Sequence, residues 1–268
     1  MVAYGNNELL ARCVSTLTPI CPVVVVDNSS RPEIAELANL FGAMYDDPGD
    51  NLGFAAAVNR GIRRAGLDSD ILLVNPDAVV DAKTVDRLRR AIALPNVAAA
   101  APRLLNPQGE TQRVRWPFPS PSRAWKQAFI HERSEPGGFL VGAVLLIRRE
   151  ALNDVGPLDE RFFLYAEETD WQFRAHLRAW QIEYCDDVSA LHVGAGTSAD
   201  NARREALFHA GTETYIRKWY GSSGWAAYRL ATIVRELVRL PRGGRQAADG
   251  FRRILLFLRG PRRSAGLE

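Results

Sequence analysis

A β-branched run at residues 22–26, Pro-Val-Val-Val-Val, ends abruptly in Asp27-Asn28-Ser29-Ser30. A run with no polar face predicts a strand buried on both sides, as in a sheet covered by helices. The theme then repeats. Residues 32–41 carry Ile34, Leu37 and Leu40 at helical spacing, and residues 55–65 read as a second helix. Residues 71–74 form a short apolar strand ended by Asn75-Pro76-Asp77. A helix over 84–94, with Val85, Leu88 and Ile92 on one stripe, precedes a strand at 97–101. Strands alternating with helices predict an α/β fold, a mostly parallel central sheet flanked by helices. In such sheets ligands bind beyond the carboxyl ends of strands, where Asp27 and Asp77 both lie.

The middle of the chain departs from this rhythm. Residues 106–135, rich in Pro, Arg and Trp, read as a long surface excursion. A strand over 139–147 follows, then a helix over 167–180 whose apolar stripe is Phe173, Leu177 and Trp180. Another strand at 181–185 precedes His192, which is expected in a loop with Gly194 and Gly196. At the start, Val2-Ala3-Tyr4-Gly5 looks like the end of a strand whose beginning is absent, followed by a helix over 8–17.

The chain is long enough for a sizeable core, with 268 residues and 47% hydrophobic. Its net charge of only +3 is unevenly placed. From Arg235 to Arg263 stand Arg235, Arg239, Arg242, Arg245, Arg252, Arg253, Arg259, Arg262 and Arg263, opposed in that span only by Glu236 and Asp249. This tail predicts a basic, amphipathic helical extension, either a solvated cap or a partner for an anionic membrane surface. No motif supports nucleic-acid binding. The start lacks the basic-then-apolar run of a signal peptide, and the longest apolar stretch, 137–147, is too short to span a bilayer. Cys13, Cys21 and Cys185 lack metal-ligand spacing and read as free thiols of a cytoplasmic protein.

Each acidic motif has a plain structural reading beside the chemical one. Asp27 in Asp-Asn-Ser-Ser suits a turn former. Asp77 sits in an equally ordinary turn, yet a carboxylate at a strand end is also what a hard divalent cation takes as ligand. A lone His192 is ordinarily a packed or surface residue, but glycines beside it would let backbone approach a phosphate.

Taken in order, these pieces resemble the family-2 inverting glycosyltransferases, which have the Rossmann-like GT-A fold. Ala3-Tyr4-Gly5 stands at the first nucleoside-contacting loop, and Val26-Asp27-Asn28-Ser29-Ser30 matches the strand-end acid facing base or ribose. Residues 51–61, Asn-Leu-Gly-Phe-Ala-Ala-Ala-Val-Asn-Arg-Gly, match the family's Asn-x-Gly loop and helix. Leu73-Val74-Asn75-Pro76-Asp77-Ala78 matches the metal motif, with Asn75 replacing its first Asp. Residues 142–148 match the acceptor-side strand, residues 162–170 the segment bearing the general base, and His192 the late metal-contacting His. Within the family, Asn-Pro-Asp-Ala, the lead-in Asp159-Glu160-Arg161-Phe162-Phe163 and the basic tail are similar to bacterial rhamnosyltransferases of cell-wall linkers and O-antigens.

The resemblance implies a catalytic domain over 1–220 with a helical extension over 221–268. It implies donor-nucleotide contacts at Ala3, Tyr4, Asp27, Asn51, Gly53, Asn59 and Asn75. Asp77 and His192 would hold Mg²⁺ or Mn²⁺, Gly142 and Trp171 would line the acceptor side, and Glu168 or Asp170 would be the base. The donor would be a nucleoside-diphosphate sugar, dTDP-rhamnose as the best fit. The acceptor would be a glycan or polyprenyl-diphosphate-linked hydroxyl in bacterial envelope synthesis, met at the inner face of the plasma membrane. Residues 168 and 170 differ by about 200° around a helix, so both cannot face one small site. Asp170 lies on the side of Phe173 and Leu177 and can pair with Arg174, which leaves Glu168 for the cleft. A nucleotidyltransferase, or a non-catalytic sugar-nucleotide-binding protein, remains the alternative at this point. Against the first stands the lack of a Gly-rich phosphate loop with a basic residue near the N-terminus.

Overall fold

The computed structural model describes residues 1–5, 7–66, 68–129, 138–194, 200–240 and 244–267. Gly196, Arg242, residues 130–135 of the expected excursion and the side chain of Arg245 lie outside the described residues. The chain runs β1 (Val2–Ala3), α1 (Asn7–Leu17), β2 (Val24–Asp27), α2 (Pro32–Leu40), β3 (Met44–Asp46), α3 (Phe54–Ala65), β4 (Ile71–Val74), β5 (Ala78–Val79), α4 (Ala82–Ile92), β6 (Val97–Leu105) and β7 (Arg115–Trp116). After these come α5 (Pro121–Phe129), β8 (Phe139–Leu140), β9 (Val144–Ile147), α6 (Arg149–Val155), α7 (Glu167–Leu177), β10 (Gln181–His192), α8 (Asn201–Arg239), α9 (Gly244–Arg259) and α10 (Pro261–Ser264).

Two compact units emerge. The first comprises Met1–Trp116, Gly138–Phe163 and Glu167–Ala199. It contains a three-stranded parallel sheet, β1-β2-β3, and a five-stranded sheet, β4-β9-β6-β10-β5. In the latter β6 and β10 run parallel, while β9 is antiparallel to both β4 and β6 and β5 is antiparallel to β10. All four residues of β2 are buried, as its lack of a polar face requires. The central β6 buries four successive alanines, Ala98 to Ala101, at 0–2% exposure. Alanine is a poor strand former, so packing places this segment in the sheet. Helix α4 starts where Asp81 accepts the Thr84 backbone N–H at 2.7 Å, a side-chain cap.

Several expectations change here. The excursion at 106–135 contains β7 and α5. The strand expected over 139–147 is split into β8 and β9, with Gly142 in the break. Helix α7 stops at Leu177, and Ala179 adopts φ 62 just beyond it. The stripe on α7 is corrected too: Leu177 is 59% exposed, while Thr169, Asp170, Trp171, Gln172 and Ala175 turn inward. His192 is the last residue of β10, not a loop residue, because the strand runs on past a register shift between Cys185 and Ser189.

The second unit comprises Pro117–Gly137, Leu164–Ala166 and Asp200–Glu268. Asp200 caps α8 by accepting from the N–H groups of Ala202 and Arg203. The helix is broken at Gly221, whose φ of 69° and ψ of −170° are not helical. Helices α8 and α9 pack together. Arg253 donates to Glu205 at 2.9 Å and to the buried Glu236 at 3.2 Å, and Arg235 also pairs with Glu236. Burial pushes the His209 imidazole down to about 3, so the ring stays neutral against Phe257. The tail's arginines are therefore opposed by acids upstream of Arg235 as well. Arg253→Ala leaves Glu236 buried with less compensation and is expected to cost about 3 kcal/mol. Urea unfolding followed by far-UV circular dichroism checks this, and an unchanged midpoint would show that the network does not hold α9 to α8.

Candidate active site

Three groups of side chains gather in the first unit, two at strand ends and one at the start of α7. The first surrounds the ends of β1 and β2. Asp27 is fully buried, and its carboxylate accepts from Ser29 N at 2.9 Å, Ser29 Oγ at 2.6 Å, Arg31 N at 2.8 Å and Tyr45 Oη at 3.2 Å. It holds the loop in shape, as the turn reading expects. Burial, and then Asp27 beside it, push the Tyr45 phenol up to about 12. The Asn28 amide donates to Gly53 O at 3.0 Å and ties this loop to the next. There Asn51 Oδ1 accepts from Gly53 N at 3.0 Å, and Gly53 adopts φ 79. A Cβ at Gly53 would meet Phe163 O at 2.6 Å, so only glycine suits both the dihedral and the contact. Tyr4, Gly5, Asn28, Ser29, Arg31 and Asn51 line a cavity of about 350 Å³. Ala3 is buried beneath it, its carbonyl accepting from Asn28 N at 3.0 Å.

Asn59, expected among the donor contacts, is not brought to this cavity lining. Its Nδ2 donates to Leu158 O at 2.8 Å and Glu160 Oε1 at 3.0 Å, and its Oδ1 accepts from Leu158 N at 3.0 Å. It brackets residues 158–160 against α3. Arg60 beside it grips Asp46 with two hydrogen bonds, at 2.5 and 3.0 Å, and this holds the Asp46 carboxyl below its ordinary range.

The second group is the pair Asp77 and His192. The antiparallel β5–β10 ladder sets His192 opposite Ala78 and brings His192 Nε2 to 3.5 Å from Asp77 Oδ1. Gln112 fixes the ring. Its Nε2 donates to His192 O at 2.8 Å, so its Oε1 faces His192 Nδ1 at 2.8 Å and Nδ1 carries the hydrogen. In the neutral ring the Nε2 lone pair then faces a carboxylate oxygen, an arrangement that favours a cation between or beside them. A carboxylate oxygen and an imidazole nitrogen are both donors that divalent cations take. Among the described residues no cluster of three or more His, Cys, Asp or Glu is gathered, so the protein offers a pair rather than a closed cage.

The third group opens α7. Gln172 clamps the helix to β8, accepting from Leu140 N at 2.8 Å and donating to Leu140 O at 2.7 Å. Glu168 lies against Gly142, where an added Cβ would come within 3.3 Å of its Cβ and Cγ. One Glu168 oxygen, Oε2, is shielded from solvent without a hydrogen-bond partner. Burial raises its carboxyl above the ordinary range, and backbone N–H groups, including that of Gly142, partly offset this. Glu167 is buried as well, with Oε2 also unpartnered. Burial and then the charge of Glu168 raise it well above the ordinary range. Asp170 is fully buried and paired with Arg174 at 2.9 Å, and Arg174 also donates to Val155 O and Pro157 O. Trp171, expected on the acceptor side, is instead a core residue at 1% exposure whose indole donates to Gly156 O at 2.9 Å. A buried, hydrogen-bonded indole cannot meet an acceptor.

The groups are mechanically linked. Asn75 N donates to Ala143 O at 2.8 Å, so the turn carrying Asp77 is tied to the residue next to Gly142. Phe54 N donates to Phe163 O at 2.6 Å, tying the Asn51–Gly53 loop to the lead-in of α7. Arg31, Gln112 and Gln172 were not singled out from the sequence. Isolated polar side chains carry no periodic signal, and only tertiary pairing reveals them.

Residues 1–156 match the family model described as Glycosyl transferase family 2. The chain is 30% identical over 261 residues to N-acetylglucosaminyl-diphospho-decaprenol L-rhamnosyltransferase of Mycobacterium tuberculosis, covering 84% of each chain. It is 27% identical over 202 residues to the low-salt glycan biosynthesis hexosyltransferase Agl10 of Haloferax volcanii, covering 72% of this chain and 65% of that one. Among solved structures, the mannosyltransferase PcManGT from Pyrobaculum calidifontis, in complex with GDP-Man and Mn²⁺, matches with a TM-score of 0.59 at 14% identity, covering 99% of this chain and 81% of that one. That last likeness speaks for the GT-A-type fold alone. With a matched model spanning more than half of its length and a relative matched over most of both chains, this chain belongs to glycosyltransferase family 2.

Proposed function

We propose that the enzyme is an inverting glycosyltransferase that moves rhamnose from dTDP-rhamnose to a hydroxyl of a glycan or polyprenyl-diphosphate-linked acceptor in envelope polysaccharide synthesis. One observation carries the mechanism: Glu168 packs its side-chain carbons against Gly142, next to the residue bonded to the Asn75–Asp77 turn, and keeps one solvent-shielded carboxylate oxygen unpartnered. The 30% identical rhamnosyltransferase supports the choice of sugar and of a lipid-linked acceptor. The family assignment displaces the nucleotidyltransferase alternative. The catalytic region is taken as 1–220, with 221–268 as its extension.

In this reading the acceptor hydroxyl attacks the anomeric carbon as Glu168 takes its proton, and the nucleoside diphosphate leaves from the opposite face. Tyr4, Asn51 and Arg31 line the donor cavity, with the loop held by Asp27 and Gly53. Asn75, the residue after β4, is taken as a further donor contact on the family resemblance. Asp77 and His192 would hold the divalent cation, with Gln112 keeping the imidazole oriented. When bound, the cation would offset the charge growing on the leaving diphosphate.

The second unit suits an anionic membrane surface. Leu230, Leu237 and Val238 on α8 and Phe251 and Leu258 on α9 are each at least half exposed. Arg252 and Arg259 are exposed next to the last two. No described helix is long and apolar enough to cross a membrane, so the contact proposed is peripheral.

Tests fall on the base, the metal pair and the membrane face. Glu168→Gln should keep dTDP affinity and lower turnover by roughly 10²–10⁴-fold. Only the ionised carboxylate accepts a proton, so wild-type kcat/KM should fall with decreasing pH through an apparent value above the ordinary Glu value of about 4.3. Asp170→Asn should instead lower stability, by about 3–5 kcal/mol. Full activity in Glu168→Gln would remove it as the base. Asp77→Asn should lower the saturated rate by about 10²-fold, and His192→Ala should raise the Mn²⁺ concentration needed. Unchanged Mn²⁺ titrations for both would end the metal assignment. Phe251→Ser with Leu258→Ser should weaken sedimentation with anionic vesicles, and equal wild-type binding to neutral vesicles would count against the electrostatic part.

A further inference from the structure

Arginines of the first unit commonly face an acid, as Arg60 faces Asp46, Arg87 faces Asp187 and Arg174 faces Asp170. Three others do not. Arg103 on β6, Arg113 just before β7 and Arg115 within it have no carboxylate within ion-pair reach among the described residues. Arg113 is exposed, yet its shape is fixed. Its guanidinium carbon lies 3.8 Å from the centroid of the Trp116 ring, its Nε donates to Arg115 O at 3.2 Å, and the Trp116 indole donates back to Arg113 O at 3.2 Å. The terminal nitrogens of Arg113 are left uncommitted, a fork already set for two oxygens of one anion. Arg115 reaches over the Tyr184 ring at 5.6 Å, and the charge of Arg103 acts on the same phenol, with Asp186 an acid also within electrostatic reach. Arg103 Nε is shielded from solvent and has no hydrogen-bond partner.

The backbone places Arg113 and Arg115 on the side of Glu168. Val141 N donates to Val114 O at 3.0 Å, so the residue between the two arginines is tied to the neighbour of Gly142, against which Glu168 packs. Arg115 is paired with Leu140, which Gln172 clamps one helical turn beyond Glu168. On the other side of Arg113 stands Gln112, which orients His192. The segment therefore runs from the metal pair past the base. None of residues 112–116 lines the donor cavity, which lies at the ends of β1 and β2. In an inverting displacement the acceptor approaches from the face of the base, and the nucleoside diphosphate leaves from the opposite one.

We propose that Arg113 and Arg115, backed by Arg103, bind the diphosphate of a lipid-linked acceptor, which rests on the enzyme's reading as a transferase to such an acceptor. A diphosphate offers several anionic oxygens on two neighbouring phosphorus atoms, and guanidinium forks meet such oxygens in pairs. The Arg113–Trp116 stack holds one fork in place before the ligand arrives, so little side-chain freedom is lost on binding. The tie to Gly142 and Leu140 selects the acceptor's diphosphate over the donor's, because both residues belong to the side of the base. A diphosphate anchored here leaves the sugar attached to it on the side of Glu168. Anchoring it thereby orients the hydroxyl that is to be glycosylated.

Calorimetric titration of the full chain with dTDP, geranyl diphosphate and geraniol, with Mn²⁺ present throughout, tests this. The wild type saturated with dTDP should still bind geranyl diphosphate, at least ~10-fold more tightly than geraniol. Arg113→Gln with Arg115→Gln should weaken geranyl diphosphate by about 10-fold or more and leave dTDP affinity within about twofold. The retained dTDP affinity also shows that the variant is folded. Should the double variant fail to fold, Arg113→Lys, which keeps the charge and loses the fork, gives the same comparison. If dTDP displaces geranyl diphosphate, or a folded variant loses both alike, the arginines serve the donor's diphosphate and the proposal falls. Equal affinities for geraniol and geranyl diphosphate would overturn it as well. A wild type that binds dTDP but not geranyl diphosphate removes this site and leaves the transferase reading standing, whereas one that binds neither removes both.

Discussion

The antiparallel β4–β9 ladder is the constraint on which the site depends. Four residue pairs set its register, and the Asn75–Ala143 hydrogen bond carries it one step beyond the strands. A strand pairing admits no continuous sliding, since a one-residue slip would turn every side chain to the other face. The turn that carries Asp77 is thereby held to the break between β8 and β9, where Gly142 leaves room for Glu168. The β5–β10 pairing then brings His192 to Asp77, and Gln172 holds α7 to β8 from the other side.

Buried polar groups divide into those that build and those kept ready. Asp27, Asn59, Gln172 and Asp170 spend their hydrogen-bonding capacity on the protein itself. Each closes a loop or docks a helix, and losing one would leave its partners without compensation. Glu167 and Glu168 differ, because each has a shielded oxygen without a partner. Such a group costs about 1–3 kcal/mol, and natural proteins concentrate that cost at working sites. The surrounding ladders and the α7 clamp hold the strain in place.

Much of the fold was legible because its elements are set locally. The all-apolar run before Asp27, the stripe of α4 and the short strand before Asn75 each announce themselves within a few residues, and all three are present. Helix α7 was read through Phe173 and Leu177, yet it buries a largely polar face that Leu140 and Arg174 satisfy. An apolar period cannot reveal a face whose partners lie on other elements. Trp171 was placed on the acceptor side by the family resemblance, yet it is a core residue whose indole donates to Gly156 O. Residues 106–135 hid β7 and α5 because Pro and Arg blur the periodicity, and the basic tail looked less neutralised than it is because Glu205 lies far upstream of Arg253.

The sequence by itself determined the strand–helix alternation of the first hundred residues, the order of the family motifs, and which acids stand at strand ends, since these follow from local pattern and motif order. Tertiary structure alone decided which of those acids remain available. Asp27 and Asp170 are consumed by neighbours, Glu168 is not, and His192 becomes useful only through its antiparallel partner. The reason is geometric: a carboxylate's role depends on whether its lone pairs meet a donor, and for Asp27 those donors come from as close as Ser29 and as far along the chain as Tyr45.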